Sequence, residues 1–321
     1  MSEPSFPADF VWGTAAASYQ IEGGATADGK GPSTWDMFCR KPGAVWNEQS
    51  GNVACDHYTR YREDVALMRQ LGIQAYRLSI SWPRVLPQGV GAVNEAGLAF
   101  YDRLVDALLE AGVEPWITLF HWDFPLELYY RGGWLNRDSA DWFAEYTDVI
   151  VRRLSDRVGK WMTLNEPQVY IGAGHDEGRH APGDRLAFRE VLRAGHHTLL
   201  AHGRSVQAIR ASARSTPQIG FAPVGLIKCP ATGSAEDVAA ARSATLGVRD
   251  KTAWTNTWWM DPVFLGSYPA DGWRAFGSDV PPVEPGDLEV INQELDFFVV
   301  NIYESQTVRA VEGGHEVVAR P

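Results

Sequence analysis

Short apolar runs alternate with amphipathic helical stretches along this chain of 321 residues, and that alternation most limits its fold. The strand-like runs begin near Phe10, Ala75, Pro115, Trp161, Gln218 and Asp296. Between them Asp56 precedes a helix with Tyr58, Tyr61, Val65 and Met68 on one stripe, ended by Gly72. Asn94 precedes a second, with Leu98, Tyr101, Val105 and Leu108 inward and Gly112 as its stop. Asp138 opens a third, carrying Phe143, Tyr146, Ile150 and Leu154. A longer helix runs from about Leu186 to Ala211, and Ser234 with Asp237 reads as a capping box ahead of an Ala-rich helix. The Gly- and Pro-dense stretch 266–287 reads as loop. Strands spaced by 40 to 80 residues pair in parallel through helical crossovers. No repeat or linker interrupts them, so residues 1–321 read as one domain. Two architectures fit, an open doubly wound sheet or a closed barrel. The sheet wants a Gly-rich phosphate turn after its first strand, and Gly13-Thr14-Ala15 lacks that spacing. The pattern favours the barrel, and disfavours a nucleotide-binding α/β protein.

What stands at the strand ends then matters, because barrel chemistry collects at the carboxyl-terminal mouth. Trp161-Met162-Thr163-Leu164 is a buried strand by composition, and Pro167 stops it just after Asn165 and Glu166. Strand one is followed by Gln20 and Glu22, and strand two by Ser81 and Trp82. Strand three runs into His121-Trp122-Asp123, and strand six carries Asn301 and Tyr303. Amides, an imidazole, indoles and one carboxylate around one mouth suit a polyhydroxylated ligand. Thirteen Trp supply flat faces for sugar rings. The formal charge of −11 argues against nucleic acid as a partner. Cys39, Cys55 and Cys229 have neither a disulfide framework nor a metal-ligand spacing, which suits a reduced cytoplasm. Met1-Ser2-Glu3-Pro4 has no secretory pattern, and no apolar run is long enough to span a membrane. The expectation is a cytoplasmic protein without metal.

Several motifs, in order, carry a resemblance to a known family. They are Phe10-Val11-Trp12-Gly13-Thr14-Ala15, Ser18-Tyr19-Gln20-Ile21-Glu22-Gly23, Ser33-Thr34-Trp35-Asp36, Tyr76-Arg77-Leu78-Ser79-Ile80-Ser81-Trp82, His121-Trp122-Asp123 and Thr163-Leu164-Asn165-Glu166-Pro167. Asp261-Pro262-Val263-Phe264-Leu265-Gly266-Ser267-Tyr268-Pro269 and Asn301-Ile302-Tyr303 follow. The sequence resembles glycoside hydrolase family 1, the β-glucosidase and β-galactosidase family of (β/α)8 barrels. The resemblance implies a TIM-type barrel and retaining hydrolysis of β-linked glucosides, galactosides or short oligosaccharides, without a cofactor. It makes Glu166 the catalytic acid/base. It assigns Gln20, His121, Trp122 and Asn165 to sugar binding, and Arg77, Asn301 and Tyr303 to support of the nucleophile.

A retaining glycosidase sets two carboxyl groups roughly 5–5.5 Å apart, one to attack the anomeric carbon and one to protonate the leaving oxygen. The family's nucleophile is the Glu of a Thr-Glu-Asn-Gly-type motif on strand seven, and no Glu-Asn-Gly occurs in these 321 residues. Glu304 and Asp123 are the nearest stand-ins, and neither holds the required position. The chain is thus expected to supply about six of eight βα units and to stop after strand six, without a nucleophile. Strands one and six should face a gap, with association through those edges or through a complementing carboxyl-terminal segment. The alternative is an inactive fragment or pseudoenzyme that at most binds sugar.

Overall fold

In a computed structural model residues 5–318 are described, so the start read for a leader and the end at Pro321 lie outside them. Nine strands appear among the described residues: β1 (Gly13–Ala15), β2 (Ala75–Ser79), β3 (Glu114–Phe120), β4 (Lys160–Asn165), β5 (Gln218–Ala222), β6 (Ile227–Pro230), β7 (Phe297–Phe298), β8 (Ser305–Val311) and β9 (Gly314–Val318). Six form one all-parallel sheet in the order β1-β2-β3-β4-β5-β7. Sequence neighbours are therefore sheet neighbours, as crossover helices require. The remaining three, β6, β8 and β9, make a small separate sheet that the sequence pattern did not announce.

The helices of the pattern are present with small shifts. Three run over His57–Gln70, Glu95–Glu110 and Ser139–Leu154, and the long one runs over Phe188–Ser212. The last two pack side by side, with Thr147 Oγ1 and Ser205 Oγ 2.9 Å apart. A buried layer of Trp82, Phe120, Phe143, Tyr146 and Trp161 lies among the helices and the sheet. Tyr146 stacks on Trp82 at 5.0 Å, and its hydroxyl donates to the carbonyls of Ile80 and Leu119, both 3.0 Å away. Trp82, expected at the mouth, is thereby core.

Several expectations are corrected. Strand one starts at Gly13 rather than Phe10, because pairing with β2 begins at Gly13 opposite Ala75. That approach is close: a Cβ on Gly13 would stand 2.8 Å from the Ala75 carbonyl oxygen. Phe10 and Trp12 instead gather with Phe6 in an exposed aromatic cluster, with ring centroids 4.5–4.7 Å apart. The sixth strand is regular only at Phe297–Phe298, after which Val299 N still donates to Phe221 O and Asn301 bridges Val224. The stretch 266–287 is not all loop. Ala270–Phe276 is helical, because Trp258 draws Tyr268 and Phe276 onto its ring at 4.3 and 4.5 Å. Packing overrides local Gly and Pro there.

Two caps also differ. Asp56 takes φ +56° and makes no side-chain cap. Ser234 Oγ accepts from Asp237 N, but the return bond is missing because the Asp237 carboxylate accepts from Thr232 Oγ1 at 2.6 Å and Ala310 N at 2.8 Å. Asp237 thus ties the helix Ala235–Leu246 to β8. A full capping box stands instead at Ser33 and Asp36.

Behind the first two strands lies a buried ion pair. Arg84 Nε donates to Glu22 Oε2 at 2.9 Å, and its Nη2 donates to Gly23 O at 3.1 Å. Tyr101 OH donates to Glu22 Oε1 at 2.7 Å, and the guanidinium lies 4.1 Å from the Tyr58 ring centroid. Glu22, expected at the mouth, is held here instead.

Candidate active site

The end of β4 delivers Asn165 and Glu166, as Pro167 requires, and the chain turns sharply to do so. Glu166 sits at φ +50° and its amide donates to Ala222 O at 2.7 Å. Trp122, after β3, adopts φ +80°, strained for a bulky side chain. Its indole N–H donates to the Asn165 carbonyl at 2.9 Å and holds the two turns together.

One hydrogen-bonded cluster draws on four strands and the residues that follow them. Asn301 Nδ2 donates to Glu166 Oε1 at 2.7 Å and to Asn165 Oδ1 at 2.9 Å. Arg77, from the middle of β2, donates through Nη2 to Asn165 Oδ1 and through Nη1 to Asn301 Oδ1 at 3.1 Å. Its Nε donates to Thr118 Oγ1 at 3.0 Å, fixing the guanidinium from a third strand. His121 Nε2 stands 3.3 Å from Asn165 Nδ2. The Tyr303 hydroxyl comes within hydrogen-bonding range of Glu166 from a side chain otherwise largely exposed.

The electrostatics are those of a buried carboxyl among amides, a phenol and one guanidinium. Burial raises the Glu166 pKa above the ordinary carboxylate value, against bonds from Asn301 and Tyr303 and the nearby charge of Arg77. Burial, with Arg77 adding to it, pushes His121 down to about 3, so its ring is neutral at ordinary pH. A neutral ring that accepts from Asn165 at Nε2 keeps its Nδ1 hydrogen for a ligand. Among the described residues no group of three His, Cys, Asp or Glu side chains could hold a metal.

Of the residues named from sequence, His121, Trp122, Asn165, Glu166, Arg77, Asn301 and Tyr303 come together. Gln20 does not join by hydrogen bonding; it is exposed on the short helix Ser18–Ile21. Arg77, Asn301 and Tyr303, expected around a nucleophile, surround Asn165 and Glu166. Neither stand-in carboxylate reaches the cluster by a hydrogen bond. Glu304 lines a different cleft. Asp123 is buried beneath the mouth, where Ser18 Oγ donates to it at 2.9 Å.

Thr118 was missed. Alternation along β3 would have turned it to the face of Phe120, but a threonine in an apolar strand carries no signal of its own. The tie between Asp123 and Ser18 was missed too, because nothing local links residues 105 positions apart.

Burial pushes the Asp123 carboxyl up to about 7, with the Glu22 charge adding to the rise and Ser81 and Ser18 opposing it. A raised carboxyl contributes stability that is full below its unfolded pKa, near 4, and is lost as pH climbs toward 7. Asp123→Asn should flatten that decline, seen as a smaller difference in Tm between about pH 5 and about pH 8 than the parent chain shows.

A family profile described as "Glycosyl hydrolase family 1" matches residues 2–319. The chain belongs to glycosyl hydrolase family 1. Beta-glucosidase A of Acetivibrio thermocellus is 44% identical over 313 residues, covering 96% of this chain and 67% of that protein. The Beta-glucosidase of an Agrobacterium species is 44% identical over 303 residues, covering 93% of this chain and 63% of that protein. The structure of a β-glucosidase from Thermotoga maritima in complex with glucoimidazole superposes with a TM-score of 0.87 at 41% identity, covering 98% of this chain and 70% of that one. This family 1 chain therefore spans about two thirds of its relatives' length. Its parallel sheet is an incomplete TIM-type barrel with six of the eight strands.

Proposed function

We propose that this chain is the acid-bearing portion of a retaining β-glucosidase, with Glu166 as the group that protonates the leaving oxygen. The observation that carries this reading is the Glu166 carboxyl itself. It is buried and raised in pKa despite the nearby Arg77 charge, and Asn301 donates to it. Asn165, locked by Arg77 and Asn301, is set to hold a sugar hydroxyl next to the acid. His121 would donate from Nδ1, and Trp122 would offer its ring. Gln20, exposed on its short helix, would complete the sugar contacts. The bond cleaved is the glycosidic C–O bond: Glu166 gives its proton to the departing oxygen while a second carboxylate attacks the anomeric carbon from the opposite face. That carboxylate would come from the seventh βα unit, on a continuation of the chain or on a complementing polypeptide. Arg77, Asn301 and Tyr303 would then face it.

The three cysteines are unpaired, which supports a reducing compartment, and no helix is long and apolar enough to cross a membrane. A second reading, a sugar-binding protein without turnover, is favoured by one observation: among the described residues no other carboxylate hydrogen-bonds into the cluster around Glu166.

The acid is tested in the completed protein. Glu166→Gln should slow hydrolysis of alkyl or glycosyl β-glucosides by about 10²–10⁴-fold, the usual worth of general acid catalysis. Activated aryl glucosides, whose leaving groups need little protonation, should lose far less in the bond-breaking step. Equal losses on both substrate types would remove Glu166 from the acid role.

A further inference from the structure

We propose that Thr118 is a positioning residue for the acid: it holds the Arg77 guanidinium on the amides of Asn165 and Asn301 and off the Glu166 carboxyl. The inference rests on the reading of Glu166 as the acid, and names what keeps the neighbouring cation from pairing with it.

A guanidinium beside a buried carboxyl has a strong partner within reach, because the two groups match through parallel charge-assisted hydrogen bonds. Such a pair would hold Glu166 ionised and leave no proton for a departing oxygen. Here it does not form. Arg77 donates to three neutral oxygens, Thr118 Oγ1 at 3.0 Å, Asn301 Oδ1 at 3.1 Å and Asn165 Oδ1, and makes no ion pair among the described residues. The two charges still sense each other. Burial lowers the Arg77 pKa, and the Glu166 charge is the first influence against that fall.

Of the three acceptors, Thr118 is the one held apart from the acid. Asn301 Nδ2 donates to Glu166 at 2.7 Å and to Asn165 at 2.9 Å, so both amides can turn with the carboxyl. Thr118 cannot. It is buried inside β3, opposite Ser79 of β2 and Met162 of β4. Its branched Cβ restricts rotation about χ1. Its hydroxyl hydrogen is directed at Met162 Sδ, 3.9 Å away, which leaves the oxygen lone pairs to Arg77 Nε. Arg77 stands opposite Trp116, so its side chain reaches along the sheet to Thr118 two positions on. Around the carboxyl, Tyr303 bonds it from beyond β7, His121 is neutral beside Asn165, and β5 offers the backbone of Ala222. Arg77 is the cation among these neighbours.

Removing the hydroxyl therefore has a signed consequence. Thr118→Val keeps the side-chain shape but leaves a buried Nε–H unpaired, and the guanidinium turns to the carboxyl. The test is a carbon-13 NMR titration of the glutamate carboxyls in the 321-residue chain, with the Glu166 signal assigned by its loss in Glu166→Gln. Thr118→Val should lower the Glu166 midpoint by at least about one pH unit, a roughly tenfold loss of proton affinity. Thr118→Ser, which keeps the oxygen, should stay at the parent value. In an Arg77→Met background Thr118→Val should move nothing, because the cation it releases is gone. Thr118→Ala removes the same oxygen and gives the same reading should the valine variant not fold.

A midpoint unchanged or raised without the hydroxyl, whatever happens to Tm, would make Thr118 structural and overturn the proposal. An equal fall in Thr118→Ser, or a fall that persists in Arg77→Met, would overturn it too. The acid reading fails separately. A parent Glu166 titrating no higher than an ordinary glutamate would remove that reading, while the difference between variants still decides Thr118.

Discussion

Alone, the 321-residue chain should hydrolyse an aryl β-glucoside no faster than buffer, and a polypeptide carrying the two remaining βα units should restore turnover. The expected gain is at least about 10⁴-fold, a modest part of what enzymes achieve over the uncatalysed reaction. The reason is geometric. Double displacement needs a carboxylate opposite Glu166, and neither Glu304 nor Asp123 hydrogen-bonds into the cluster around it. Exposed apolar groups stand near both ends of the sheet: Phe6, Phe10 and Trp12 before β1, and Phe298, Ile302 and Tyr303 at and after β7. Closing the barrel would cover them and pair both edges, so assembly and activity should appear together. Changing the supplied strand-seven Glu to Gly should abolish turnover without preventing assembly, as followed by size-exclusion chromatography. Robust turnover by the chain alone, lost in Glu304→Ala, would sink this account.

The second large effect is on stability. Arg84→Met should destabilise the fold by about 3–5 kcal/mol, because it strands the Glu22 carboxylate in a buried site. Tyr101 OH would remain its main donor. Glu22→Gln combined with Arg84→Met should recover a large part of that loss, since no charge is then left uncompensated. Urea unfolding at neutral pH measures both, and a double variant no better than Arg84→Met would contradict the explanation.

Which parts of this were readable from sequence follows from what kind of signal each leaves. The parallel order came through because strands separated by helical crossovers have few other ways to pair. Glu166 at a strand end came through because Pro167 dictates the break. The gathering of His121, Asn165 and Asn301 rested on their shared position after apolar runs and on the family resemblance. What stayed hidden depends on distant partners. Glu22 looked like a mouth residue until Arg84 claimed it, and Trp82 looked like one until Tyr146 stacked on it. Helix Ala270–Phe276 was masked by its Gly and Pro neighbours, since Trp258, which organises it, lies outside any local window. The small sheet of β6, β8 and β9 joins segments about 80 residues apart, beyond the reach of periodicity.

The left-handed turn at Glu166 sets function against stability. A non-glycine residue there costs about 1–2 kcal/mol in backbone energy, and burying its carboxyl adds to that penalty. A glycine at the same position would relieve both at once. Glu166→Gly should therefore raise the stability of the polypeptide, so a carboxyl and an easy backbone are alternatives at this one position.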